Sequence, residues 1–287
     1  MTVMTSTGIE DRSEATKTYM ICLDVDGTLV NHDGHMSQAV KDSARAIVAA
    51  GHEVVISTGR SLGATLPVIQ MLGIESGYAV CCNGGVTARI DLSLEDGYEV
   101  VERKTFDPAP ALRALIKALP TAKYALEDDQ GRFLSTERFE DASFGVVSTP
   151  VTLNEMLEAT AVRLVVFSTD STVEEFGEAV GAMGLSGVTY SVGWTAWLDI
   201  AAEGITKASG LEALRTQHGF DIESTIAVGD GRNDIEMLAW AGRGVAMGQA
   251  PDEVKAVADE IAAGVDDDGL AVVLREFLAD NAGVSPA

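Results

Sequence analysis

The sequence predicts an α/β protein, a doubly wound parallel sheet interrupted by an inserted α+β domain. Three observations lead there. Residues 20–85 alternate short apolar runs with helix-period stretches over short turns, a β-α-β-α-β order. The same alternation resumes near residue 206 and continues to about residue 280. Between them the texture changes, because residues 86–199 are richer in strand-like runs and hairpin turns than in crossovers. The expected division is therefore a discontinuous core (18–85 and 200–281), an inserted domain (86–199), and flexible tails at 1–17 and beyond 281.

Taken in order, Met20-Ile21-Cys22-Leu23 is a short apolar run of the kind a parallel strand shows when both its faces are covered. Ser37 is placed to cap a helix to about residue 50, with Ala39, Val40, Ala44, Ile47 and Val48 on its buried face and Gly51 ending it. Residues 53–57 form the next strand, 62–72 a helix and 78–82 a third strand that closes on Asn83-Gly84-Gly85. In the insertion, strands are expected at 87–90, 98–104, 123–126, 132–135, 161–168, 188–192 and 196–200, with helices at 109–119, 153–160 and 172–183. A helix at 206–218, a strand at 224–228, a helix at 235–241, a strand at 244–247 and helices at 252–258 and 270–280 complete the chain. No internal repeat of solenoid period is present.

Composition narrows the function. A net charge of −24, from 44 acids against 20 Lys and Arg, disfavours nucleic acid or an anionic membrane as partner. Three cysteines, all in apolar runs, read as small buried hydrophobes in a reducing, cytoplasmic compartment. The adjacent pair Cys81-Cys82 lacks metal-ligand spacing. The polar segment 1–18 has no apolar core of the signal-peptide kind. His32 and His35 read as polar loop surface.

Four polar stretches at strand ends or helix starts carry the chemistry. The first strand ends in Asp24-Val25-Asp26-Gly27-Thr28, and residues two apart leave a strand on the same side. Two carboxylates there need compensating charge, which a hard divalent cation such as Mg²⁺ supplies. Thr58-Gly59-Arg60 lies between a strand and a helix, where free backbone N–H groups favour a phosphate oxygen. Lys207 stands in the first turn of a helix, the end the helix dipole makes unfavourable for a cation. Neutralising a nucleophilic carboxylate and a transferring phosphoryl group would account for it. Asp230 leaves a predicted buried strand as Asp24 does, with Gly229 before it. Asp234 follows one turn later, with Asn233 beside it.

This ordered set, D-V-D-G-T-L, S-T-G-R, Lys207 and G-D-G-R-N-D, resembles the haloacid dehalogenase (HAD) superfamily of aspartyl-phosphate phosphatases. The position of the insertion is similar to that in the Cof-type (class IIB) branch, with a Rossmann-like core and a C2B-type α/β cap. The resemblance covers about residues 20–277. It implies that Asp24 is the nucleophile and that Asp26 protonates the leaving alcohol and then activates water. It further implies Mg²⁺ held by Asp24, the Asp26 carbonyl oxygen and Asp230. Thr58, Gly59, Arg60, Asn83 and Lys207 would bind substrate, and Asn233 and Asp234 would support them. Glu127, Asp128, Arg132, Trp194 and Trp197 are candidates for the cap surface facing the leaving group. The expected activity is Mg²⁺-dependent hydrolysis of small phosphorylated metabolites, sugar phosphates foremost. A sugar phosphomutase and a non-catalytic phosphometabolite-binding protein are the competing readings.

Overall fold

The computed structural model of the protein describes residues 17–137, 147–193 and 196–281. Nearly all of the expected N-terminal tail (1–16), the C-terminal tail and Trp194 lie outside the described residues. The chain opens with β1 (Met20–Leu23), α1 (Gln38–Ala49), β2 (Glu53–Ser57), α2 (Leu62–Leu72), β3 (Ser76–Cys81), β4 (Val86–Asp91) and β5 (Tyr98–Arg103). A second unit follows, with α3 (Ala109–Ala118), β6 (Lys123–Asp128), β7 (Phe133–Ser135), β8 (Thr149–Pro150), α4 (Leu153–Leu157), β9 (Ala161–Phe167), α5 (Val173–Met183), β10 (Val188–Val192) and β11 (Trp197–Ala202). The chain then returns through α6 (Lys207–His218), β12 (Thr225–Gly229), α7 (Ile235–Trp240), β13 (Arg243–Ala246), α8 (Asp252–Lys255), β14 (Glu260–Ile261) and α9 (Gly269–Asn281).

Two sheets result. One has eight strands in the order β14-β13-β12-β1-β2-β3-β4-β5, the other six in the order β10-β11-β9-β6-β7-β8. In the first, β1 pairs parallel with both β2 and β12, so the winding direction reverses at β1. All four β1 residues are buried, and alternate ones serve opposite faces. Ile21 and Leu23 join the apolar layer of α1, α2 and α9, whereas Met20 and Cys22 join that of α6, α7 and α8. Each fully buried aliphatic side chain contributes about 1.5–3 kcal/mol, which makes this strand the axis of the core.

The expected boundaries of the insertion need correcting at both ends. β4 extends the first sheet antiparallel to β3, and β5 follows antiparallel to β4, so the second unit starts only after Arg103. The cause is the turn Cys82–Gly84, which folds the chain straight back and hands Val86 the free edge of β3. At the other end β11 runs to Ala202, three residues past the expected limit. The short strands β8 and β14 were not expected, since two residues carry no readable alternation.

That turn also seats α6. Cys82 and Asn83 both hold φ +52°, and Gly84 holds φ +100°. A Cβ on Gly84 would lie 2.1 Å from the Thr206 carbonyl oxygen, a contact no rotamer relieves because the backbone fixes the Cβ and its partner is itself a backbone atom. Gly84→Ala is expected to lower unfolding stability by about 3 kcal/mol, read as a drop in the urea midpoint at constant slope.

Candidate active site

The reversal of strand order at β1 leaves a crevice beyond the carboxyl ends of β1 and β12, the place where such sheets bind ligands. Asp24 follows β1 and Asp230 follows β12, because these adjacent parallel strands end in register, Leu23 opposite Val228. Both carboxylates are buried, as are Asp234 and Lys207. Glycine permits the approach: a Cβ on Gly27, at φ +86°, would stand 2.0 Å from Asp230 Oδ2.

Lys207 joins the two halves of the core chemically. Its Nζ donates to Asp24 Oδ1 and to Asp234 Oδ1, each at 2.6 Å. Thr206 caps α6, its hydroxyl accepting from the Ser209 N–H at 3.2 Å, and this fixes the helix start that carries the lysine. Asp234 is held from the other side, since its Oδ2 accepts from the N–H groups of Asp230 and Gly231 at 3.0 and 2.9 Å. With both oxygens engaged, Asp234 is a brace between Lys207 and the turn after β12. The two carboxylates keep the lysine charged against the opposing effect of burial, and its pKa rises.

Burial drives the Asp24 carboxyl well above the usual carboxylate range, Asp234 and Asp230 adding repulsion that Lys207 only partly offsets. Asp230 is raised to about 6, chiefly by burial, against the hydrogen bond from Gln249. These acids lack positive charge. Carboxylate oxygens of Asp24, Asp230 and Asp234 lie within 4.8 Å of one another, an all-oxygen donor set that suits Mg²⁺. Asp234 has both oxygens engaged, whereas no hydrogen bond to Asp24 Oδ2 or Asp230 Oδ1 is found among the described residues.

A pH dependence follows with a definite sign. The folded protein keeps the Asp230 proton that the unfolded chain has released near pH 4, so without metal its stability falls as pH rises from about 4 to about 6. The penalty, about 3 kcal/mol, is complete above that window. Millimolar Mg²⁺ is expected to raise Tm by several degrees at pH 7.5 and hardly at all near pH 4.5, where protons compete. Melting curves with Mg²⁺ and with EDTA at both pH values check this.

The remaining expected residues fall into place unevenly. Thr58 is buried, its N–H bonded to the Val80 carbonyl at 2.8 Å and its hydroxyl accepting from the Arg60 N–H at 3.1 Å. Ser61, not Thr58, caps α2. Asn83 accepts from Asn233 Nδ2 at 2.9 Å and stands close to Gly59. Arg60 grips the carboxylate of Asp26 at both oxygens, at 2.9 and 2.5 Å. Asp26 is thus tied to Arg60 at the open side of the site, its side chain 60% exposed while Asp24 and Asp230 are buried.

A cavity of about 190 Å³ opens over Asp24, Asp26, Thr58 and Asp230, roofed by Trp197 and Asp199 of the second sheet. A second cavity of about 280 Å³ shares Arg163, Ser191, Val192, Asp199, Arg232 and Asn233 with it and extends past Asn83 to Glu236. Of the expected cap candidates, Trp197 lines the first cavity. Glu127 is instead buried and accepts from the Cys82 thiol at 3.2 Å. Asp128 organises the β6–β7 turn through the N–H groups of Gln130 and Arg132 and the Arg132 side chain, so this pair is accounted for locally. Cys82 is therefore more than a small hydrophobe, because it bonds the core turn to the second sheet.

Three residues at the site escaped the sequence reading. Gln249 donates to the Gly27 carbonyl at 2.6 Å and to Asp230 at 3.1 Å. Its signal was its place just past β13 on the same edge of the sheet. Arg163 and Asp199 were readable as charges within the apolar strands A-V-R-L-V-V-F and W-L-D-I-A-A.

A family model for haloacid dehalogenase-like hydrolases matches residues 21–274. A 5-amino-6-(5-phospho-D-ribitylamino)uracil phosphatase of Bacillus subtilis is 29% identical over 275 residues, 92% of this chain and 99% of the relative. A pyridoxal phosphate phosphatase of Escherichia coli is 28% identical over 261 residues, 84% of this chain and 92% of that one. Among solved structures, a HAD subclass IIB sugar phosphatase superposes with a TM-score of 0.76 at 26% identity, covering 91% of this chain and 99% of the other.

Proposed function

The chain belongs to the haloacid dehalogenase-like hydrolase family, and from that premise we propose that it is a Mg²⁺-dependent phosphatase of small phosphorylated metabolites, sugar phosphates foremost. The observation that carries the proposal is Lys207 bridging Asp24 and Asp234 beside Asp230, all buried. A structural ion pair needs one acid, and burying three around one amine is costly unless something binds there.

Asp24 is the proposed nucleophile. Lys207 engages its Oδ1, and no hydrogen bond to its Oδ2 is found among the described residues, which leaves that oxygen to attack phosphorus. Lys207 then neutralises charge on the phosphoryl group, and Thr58 offers a hydroxyl beside it. When bound, Mg²⁺ would be held by Asp24, Asp230 and the Asp26 carbonyl, supplying positive charge to the phosphoryl oxygens. Asp26 gives a proton to the leaving alcohol and later takes one from the water that hydrolyses the aspartyl-phosphate. To do so it leaves Arg60, takes up a proton from solvent and meets the leaving oxygen as the acid. The second unit is proposed as the cap that excludes bulk water during transfer.

No helix among the described residues is long and apolar enough to cross a membrane. The free, buried Cys22, Cys81 and Cys82 fit a reducing, cytoplasmic setting. Phosphate release from a panel of sugar phosphates, nucleotides and pyridoxal phosphate, with and without Mg²⁺, tests the proposal. Mg²⁺-dependent release is expected, and no release from any monoester overturns it.

A further inference from the structure

The second sheet presents to the site a face that its helices leave uncovered, and that face carries a fixed carboxylate. β9 and β11 are antiparallel, with Trp197 opposite Phe167 and Asp199 opposite Val165. By two-residue alternation Arg163, Asp199 and Trp197 share this face, while Leu164, Val166, Leu198 and Ile200 lie in the apolar layer with residues of α3 and α5. Arg163 Nε donates to Asp199 Oδ1 at 2.5 Å, and Trp197 Nε1 donates to Oδ2 at 3.1 Å. The two donors come from different strands, so the orientation of the carboxylate is set before any ligand arrives.

Its place matters as much as its rigidity. Asp199 borders both cavities, the one that holds Asp24 and the larger one beyond it where the rest of a phosphomonoester must lie. A carboxylate has about four acceptor sites, and donors among the described residues use two. Ser191 pairs with Asp199 across β10 and β11, so a hydroxyl stands beside the carboxylate on the same face. Glu236, in the first turn of α7, lines the larger cavity with Asp199. Acceptors and a hydroxyl there suit O–H donors. Arg163 and Arg232 line the same cavity, and each is paired with an acid, Arg163 with Asp199 and Arg232 with Glu253.

We propose that Asp199, fixed by Arg163 and Trp197, determines leaving-group specificity by accepting hydrogen bonds from the hydroxyls of a neutral polyhydroxylated alcohol. The inference rests on the phosphatase reading above and narrows it to monophosphates of sugars or polyols. A positioned acceptor of this kind discriminates because a leaving group lacking the hydroxyl forfeits the bond.

The test compares Asp199→Asn and Trp197→Phe with the unaltered protein on hexose and pentitol monophosphates and on p-nitrophenyl phosphate, whose leaving group carries no further hydroxyl. Asp199→Asn is expected to lower the ratio of kcat/KM for the sugar and polyol esters to that for p-nitrophenyl phosphate by about 10–100-fold. Trp197→Phe should shift the same ratio in the same direction by about 3–10-fold, since it removes one of the two donors that orient the carboxylate. Equal losses on both substrate types, or an unchanged ratio, overturn the proposal. Should Asp199→Asn fail to fold, the Trp197→Phe ratio decides alone. Absence of phosphate release by the unaltered protein from every ester is a different result and refutes the phosphatase reading itself.

Discussion

Asp24→Asn is expected to reduce phosphate release by at least about 10⁴-fold while leaving the fold intact. The amide keeps the shape of the carboxylate but cannot form the aspartyl-phosphate. Stability should not fall with activity, for a reason specific to this site. Asp24 is ionised only against burial and against Asp234 and Asp230, so removing its charge relieves repulsion while Lys207 keeps Asp234 at 2.6 Å. Without metal, the variant should melt within a few degrees of the unaltered protein or above it. Phosphate-release kinetics and thermal melts in EDTA check both halves. Turnover within tenfold of normal would show that another group attacks phosphorus.

Lys207→Met should damage catalysis and folding together. It removes the one cation among three converging buried carboxylates and leaves uncompensated charge, which costs about 3–5 kcal/mol. Turnover should fall by about 10³-fold, because among the described residues Lys207 is the cation bonded directly to Asp24, the proposed nucleophile. The two effects separate by their response to metal. Mg²⁺ offsets the charge, so it should restore much of the lost Tm and little of the lost rate. A variant that melts normally in EDTA would mean that the lysine is not what holds the acids together.

The likeness between expectation and structure is closest where local pattern and burial agree. The run at 20–23 and the acids after it were readable because a strand buried on both faces is apolar at every position, and any polar residue beyond it stands out. The Cys82–Gly84 turn defeated the reading of the domain boundary. Nothing local separates a chain that folds back onto the edge of β3 from one that leaves for a new domain, and pairing is settled by which edge is vacant. Asp26 shows the same limit at one side chain. The two-residue rule placed it beside Asp24, and the guanidinium of Arg60, 34 residues away, ties it at the open side of the site.

The amino-acid order alone determined the α/β class, the interrupted core and the residues that carry charge at strand ends, since each follows from period, burial and valence within a few neighbours. Only the folded chain decided that Lys207 meets Asp24 and Asp234, that Gln249 supports Asp230, and that Arg163, Asp199 and Trp197 form one group over the crevice. Those contacts join positions from two to 183 residues apart. Electrostatic and hydrogen-bond energies act over a few ångströms of space, and the sheet order, not the spacing along the chain, sets which groups come within that range.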